Sequence, residues 1–190
     1  MASRLENLRY ALTWNDFRGT VPRNATLNAL TSVTIVFTRL QVERTSSGVT
    51  LRDNVIVTVT LRRMQSWARA GSTRTAALLH HEQGHYNITA LTARDMFIDL
   101  MQLKQRSFNN AAALQSELTR IRRLYDPQAI HDSYDAQTET DHGRNAAQQR
   151  TWDGYIQRAF TQVRTPPMHA PDGTAYKVRL RDVLRDAGKI

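Results

Sequence analysis

Residues 78–91 read LLHHEQGHYNITAL and hold three of the chain's six histidines. Ala76, Ala77, Leu78, Leu79, Ile88, Ala90 and Leu91 surround them, a neighbourhood expected to be buried. An α-helix turns by roughly 100° per residue, so residues four apart share a face. His81 and His85 therefore point the same way, and Glu82 stands beside that face. Two imidazoles at this spacing can grip one metal ion, and the carboxylate between them can reach a water on it. A helix from Ser72 or Thr73, as its cap, to about Leu103 is predicted around this motif. Gly84 costs such a helix roughly 1 kcal/mol relative to alanine. Close passage of another backbone segment, or of a substrate strand, would explain it.

With this composition, H-E-x-x-H arises by chance somewhere in the chain in about 0.5% of sequences. The bland alternative, a solvated face with two unrelated histidines, fits the apolar neighbours poorly. A catalytic zinc takes three protein ligands and keeps one position open. The third is sought in HDSYDAQTETDHG, residues 131–143. His142 is the first choice, Asp135 the second and Asp141 the third. His80 points about 100° away from His81 and is read as wall or surface. His131 is read as exposed and His169 as solvated. Tyr134 is a candidate donor to the oxyanion of a tetrahedral intermediate, with a core or rim tyrosine as the equal alternative.

Upstream, LRYALTWNDFRG at 8–19 reads as a short strand ending in a turn, and TSVTIVFTRLQV at 31–42 as a strand. SSGVT at 46–50 is a turn. NVIVTVTL at 54–61 alternates, with Val55, Val57, Val59 and Leu61 on one face. A small antiparallel sheet is expected. The strand Asn54–Leu61 is either structural or an edge for an extended substrate. Downstream, helices are predicted over 110–124, with Leu114, Leu118, Ile121 and Leu124 on one stripe, and over about 144–163. Residues 165–175 read as a loop, and the last fifteen as a strand or short helix. Strands first and helices after make an α+β domain.

The chain has 190 residues, no cysteine and a net charge of +9, carried by 23 Arg and 3 Lys. Thiolate metal sites and disulfides are excluded. The arginines are scattered, so nucleic-acid binding is not favoured; attraction to anionic envelope polymers or acidic substrates is an alternative use of the charge. The first residues show no apolar leader, and no run of ~18 apolar residues predicts a membrane span.

Four segments together resemble the predicted secreted zinc-dependent proteases of bacteria, a domain family of unknown function. They are LTWNDFRG at 12–19, SW at 66–67, LLHHEQGHYNIT at 78–89, and YDAQTETDHG at 134–143 followed by Gln148 or Gln149 and Trp152. Tyr86 stands where the family pattern has Phe. The last segment is two residues longer than the pattern between the Thr of D-x-x-T, Thr138, and His142, and Thr140 can instead supply the Thr two before that histidine. The resemblance covers about residues 8–160. It implies a zincin-like metallopeptidase domain over 1–164, Zn2+, and export to the periplasm or outside. His81, His85 and His142 would be ligands and Glu82 the general base. Trp14 and Asp16 are given a structural role, and 165–190 is an extension of unassigned role. The expected function is hydrolysis of peptide bonds in a protein or cell-wall peptide. In that mechanism zinc lowers the pKa of its water to around 7, and Glu82 moves the proton to the leaving amine. Two alternatives are a zinc-stabilised binding protein without catalysis and, less favoured, an Arg-rich nucleic-acid binder.

Overall fold

A computed structural model describes residues 3–37, 40–52, 55–137, 139–165 and 175–190. The fold is mixed α+β, built around one long helix, α1 (Ala76–Leu103). Its buried side chains include His81, Glu82, Tyr86, Ile88, Leu91, Arg94, Asp95 and Ile98, which run around the whole circumference. A helix buried on every side needs a cover on every side. A sheet covers one flank and shorter helices cover the other.

The sheet is formed by β1 (Arg4–Glu6), β3 (Val33–Phe37) and β6 (Ile56–Leu61), in the order β1-β6-β3. Val55, Val57 and Val59 are 0–1% exposed and face α1, as the alternation requires. β3 pairs with β6 antiparallel, Phe37 opposite Val57 and Val33 opposite Leu61. β1 joins β6 in parallel, so the sheet is not wholly antiparallel as expected. Three residues, two of them charged, carry no alternation that could announce such a strand. β6 is the central strand and not an edge; the edge beside the helix is β3.

The stretch 31–42 is not one strand. β4 (Val42–Thr45) forms a separate hairpin with β5 (Gly48–Leu51), turning at Ser46-Ser47. β2 (Ala29–Leu30) pairs with β7 (Trp67–Ala68). Residues 8–19 form no strand; one turn of 3-10 helix, Trp14–Asp16, stands there. Asp16 causes this. Its carboxylate, 4% exposed, accepts from the Thr13 backbone N–H (2.9 Å) and hydroxyl (3.1 Å), from Tyr10 (2.8 Å) and from Arg63 Nε (2.8 Å). A local side-chain acceptor of this kind competes with strand pairing for the backbone.

Helix α1 starts two or three residues later than expected, because Thr75 is its cap: the Thr75 hydroxyl accepts from the Leu78 N–H at 3.1 Å. α2 (Ala111–Leu124) and α4 (Ala146–Thr161) match the predicted helices and are capped by Asn110 and Asn145. α3 (Gln128–Asp135) lies where no helix is predicted. α5 (Leu180–Asp186) ends the chain. No helix of the described residues is long and apolar enough to cross a membrane.

One core lies between α1, α2 and the sheet; the second joins α1, α3, α4 and α5. The C-terminal residues are part of that second core. Leu180, Val183 and Leu184 are 0–2% exposed. Asp95 accepts from the Leu180 N–H at 2.9 Å and pairs with Arg94 at 2.6 Å, while Arg94 donates to the carbonyls of Ala159 (2.6 Å) and Val178 (2.8 Å). Arg94 and Asp95 thus find their partners in α4 and the C-terminal segment.

Two predictions follow from this packing. Leu184→Ala removes a fully buried side chain and is expected to cost about 2–5 kcal/mol in denaturant unfolding; a loss under ~1 kcal/mol would mean that the C-terminal helix is dispensable. Asp16→Asn leaves buried donors without their anion and is expected to cost about 1.5–3 kcal/mol. Burial works to raise the Asp16 pKa, but the bonds from Thr13, Tyr10 and Arg63 outweigh it and hold it below the ordinary value. The Asp16 contribution is therefore present above the unfolded-state value near ~4 and fades as pH falls through the lower folded value. Melting curves from neutral to acid pH should show a steeper acid loss in the parent than in Asp16→Asn.

Candidate metal centre

The motif lies in the first half of α1, where the helix passes under β3 and is roofed on the other side by α3 and the turn before α4. His81 and His85 do share a face. Their rings are 4.9 Å apart, edge to face, and each Nε2 lies 3.0 Å from Asp135 Oδ1. His142 Nδ1 is 3.7 Å from the same oxygen. Donor atoms of His81, Asp135 and His142 all lie within 4.8 Å of one another. Ligands about 2.0–2.1 Å from a tetrahedral zinc would sit roughly 3.3 Å apart, so the donor set fits a first-row divalent ion. Asp135 is the hub of the group: the structure brings the first and second choices for third ligand to the same point. Asp141 faces away and pairs with Arg144 at 3.3 Å.

The sequence delivers these groups by two local devices. Asp135 is the last residue of α3, four after His131, so both project toward α1. His142 is presented by a tight turn in which Asp141, His142 and Gly143 all have positive φ (46°, 51° and 83°). Two non-glycine residues in succession there cost energy, so the surroundings must impose the conformation. Thr140, fully buried, imposes it: its hydroxyl donates to the Tyr134 carbonyl, and its own carbonyl accepts from Gly143 N–H and Asn145 N–H at 2.9 Å each. A Cβ at Gly143 would come within 2.9 Å of His81 Cβ, so the turn rests directly on His81. Ahead of this turn, Glu139 accepts from Trp152 Nε1 at 2.9 Å and pairs with Lys189 at 2.7 Å.

Tyr134 does not reach into the cleft. Its ring stacks on His81 (4.6 Å, 5°), and its hydroxyl donates to the His81 carbonyl at 3.1 Å and accepts from Gln149 Nε2 at 2.7 Å. It supports His81 from the core side, and an oxyanion role has no geometric basis here. Gly84 is explained by the same residue. A Cβ there would lie 2.0 Å from the Tyr134 oxygen, so a side chain, and neither a backbone nor a substrate strand, demands the glycine.

His131 is half-buried rather than exposed: Nδ1 meets His85 Nδ1 at 3.0 Å and Nε2 meets Thr89 Oγ1 at 3.1 Å. Burial, with the positive charge of His85 beside it, pushes its pKa down to about 3. Burial works against a charged His85 as well, but the hydrogen bond and charge of Asp135 prevail and raise it. Asp135 would be raised by burial, yet the bonds from His81 and His85 hold it well below the usual carboxylate range. His80 is exposed and pairs with Asp153 at 2.8 Å. His169 lies outside the described residues. Gln149 Oε1 meets His81 Nδ1 at 3.2 Å. The spacing of His131 and Asp135 was the available signal for His131, but only to a reader who had placed a helix there.

Glu82 is 3% exposed and its Oε2 accepts from the Thr31 hydroxyl at 2.6 Å. It opens, with His81, His85, Asp135 and His142, onto a cleft of about 1020 Å³. The opposite wall is the segment from Leu27 through β3, and the far end carries Arg122, Arg123 and Gln128.

Residues 2–143 match the family described as "Bacterial protein of unknown function (DUF922)", and the chain belongs to that family. No curated protein and no solved structure matches it. The family segment contains every candidate ligand and Glu82, while Gln149 lies beyond it.

Gly84→Ala is expected to displace Tyr134 from under His81. Overpacking of about 1–3 kcal/mol outweighs the roughly 1 kcal/mol gained in helix propensity. The expected outcome is a less stable protein with weakened zinc uptake in a calorimetric titration; unchanged stability and uptake would contradict this role for the glycine.

Proposed function

We propose that the protein is a zinc-dependent hydrolase of peptide bonds, with His81, His85 and Asp135 holding the ion, His142 beside them and Glu82 as general base. The observation that carries the reading is a buried carboxylate, Glu82, next to the convergent set of His81, Asp135 and His142, with His85 Nε2 3.0 Å from the same Asp135 oxygen, on the wall of one cleft. A zinc ion bound there supplies Lewis acidity, which brings a water to a pKa near ~7 and polarises a carbonyl. Glu82 accepts the proton of a water in the cleft and returns it to the departing amine. Thr31 holds one carboxylate oxygen, so the other is the one oriented for proton transfer. An extended peptide suits the opposite wall. β3 pairs only with β6 among the described residues, which leaves its outer edge for main-chain hydrogen bonds to a substrate strand.

A second reading has its own observation. Three histidines each approach the same Asp135 oxygen, which makes four donor side chains around one point, the number that a closed structural zinc site uses. That arrangement would make the protein a zinc-stabilised binder. The two readings differ in whether the zinc-loaded parent cleaves peptides at all.

The test is Glu82→Gln, assayed with a mixed peptide library and with metal analysis. One zinc per chain is expected in both forms, with cleavage lost by about 100- to 10,000-fold in the variant. Cleavage surviving in Glu82→Gln would rule out the mechanism; zinc-loaded parent without cleavage would favour the closed site.

A further inference from the structure

The polar atoms behind the two histidines form two chains of hydrogen bonds, and each chain has only one consistent direction. The first runs behind His81. Asp153 can only accept, so the Gln149 amide nitrogen must face it, at 3.0 Å. The same nitrogen donates to the Tyr134 hydroxyl at 2.7 Å, and that hydroxyl gives its single proton to the His81 carbonyl. The amide oxygen is thereby turned to His81 Nδ1, at 3.2 Å. An oxygen there accepts, so Nδ1 carries a proton, and in the neutral ring Nε2 is the nitrogen with the lone pair.

The second chain runs behind His85. Thr89 gives its proton to the His85 carbonyl at 3.2 Å, as a helical threonine does to the residue four before it. It then accepts from His131 Nε2 at 3.1 Å, which leaves His131 Nδ1 as an acceptor. His85 Nδ1, 3.0 Å away, must be the donor, and its Nε2 also presents a lone pair. Both chains end on the backbone carbonyl of the histidine they serve. Both Nε2 atoms point at the same carboxylate oxygen, Asp135 Oδ1, at 3.0 Å. Without a metal a proton on each Nε2 satisfies that oxygen; with one, the ion takes the place of those protons between the three atoms.

We infer that Gln149 and His131 are positioning residues that set the tautomers of His81 and His85 before any metal arrives. This rests on the metal reading of the site but not on peptide hydrolysis. Both groups are neutral, where carboxylates or backbone carbonyls are the usual partners of a ligand histidine. They orient the rings without adding negative charge behind them, which leaves an ion held there more electron-poor. Gln149 belongs to α4, outside the segment that matches the family, so the part of the chain after residue 143 contributes directly to the centre.

The test uses the full chain, zinc alone as the probe, and Gln149→Leu and His131→Phe, which keep bulk and remove the acceptor. Zinc affinity by competition with a chelator is expected to fall about 10- to 100-fold in each. Nitrogen NMR of the metal-free parent, at a pH above the titration of both rings, is expected to show the proton on Nδ1 of His81 and His85. In each variant the ring it serves should become a mixture of tautomers. Circular dichroism identifies a variant that fails to fold; the other variant and the parent spectrum then carry the test. A proton on Nε2 in the parent, or folded variants with affinity and tautomers unchanged, overturns the inference. A parent with the expected tautomers that takes up no zinc keeps the positioning role and sinks the metal reading instead.

Discussion

Two imidazoles buried in the middle of a helix have four ring nitrogens to satisfy, and the rest of the site follows from that demand. Water cannot reach His81, which is 1% exposed, so each nitrogen needs a protein partner or an ion. Gln149 and His131 take the inner nitrogens and Asp135 stands at the outer ones. To bring those three residues to α1, the chain after Leu124 must fold back over it. Much of the second half of the chain answers this need: α3 carries His131 and Asp135, the Thr140–Gly143 turn carries His142, and α4 carries Gln149.

The amino-terminal third meets a matching demand from the other face of the same helix. Gln83, the third residue of the motif, accepts from Leu12 N–H (2.8 Å) and donates to the Tyr10 carbonyl (2.9 Å). Tyr86 donates to the Asn7 carbonyl at 2.6 Å, a bond that a phenylalanine could not make. Gly19 lies so close to the Met64 and Ser66 carbonyls (2.8 and 2.9 Å from an added Cβ) that no side chain fits. LTWNDFRG is thus a clamp that ties the connection between β6 and β7 to α1: Asp16 orders its backbone, while Leu12 and Phe17 enter the core. That is the structural role expected of Trp14 and Asp16, reached through bonds to backbone rather than through a strand.

What the sequence revealed was what repeats or alternates. The spacing of His81 and His85, the valines of β6 and the stripe of α2 each have a period, and each appears where expected. The misses lack one. β1 is three residues long and pairs with a strand some fifty residues away. α3 is eight residues and mostly polar, because one of its faces serves the site rather than a core. The turn at Asp141–Gly143 is held by Thr140 and by His81, a contact between residues about sixty apart that no local pattern encodes. Asp135 ranked below His142 for a related reason: sequence gives the kinds of ligand available, but only the fold decides which reaches both histidines.

Glu82 weighs on the choice between a catalytic and a closed centre. Only the Thr31 hydroxyl bonds its carboxylate among the described residues, and one oxygen is left without a partner there. Burying a carboxylate so thinly supported is costly, and it adds nothing to a site that already has four donors. A structural zinc centre would be more stable with an apolar residue at this position. A carboxylate kept beside the donor set, on the wall of the cleft and near the β3 edge, favours the proposed proton-transfer role over the closed centre.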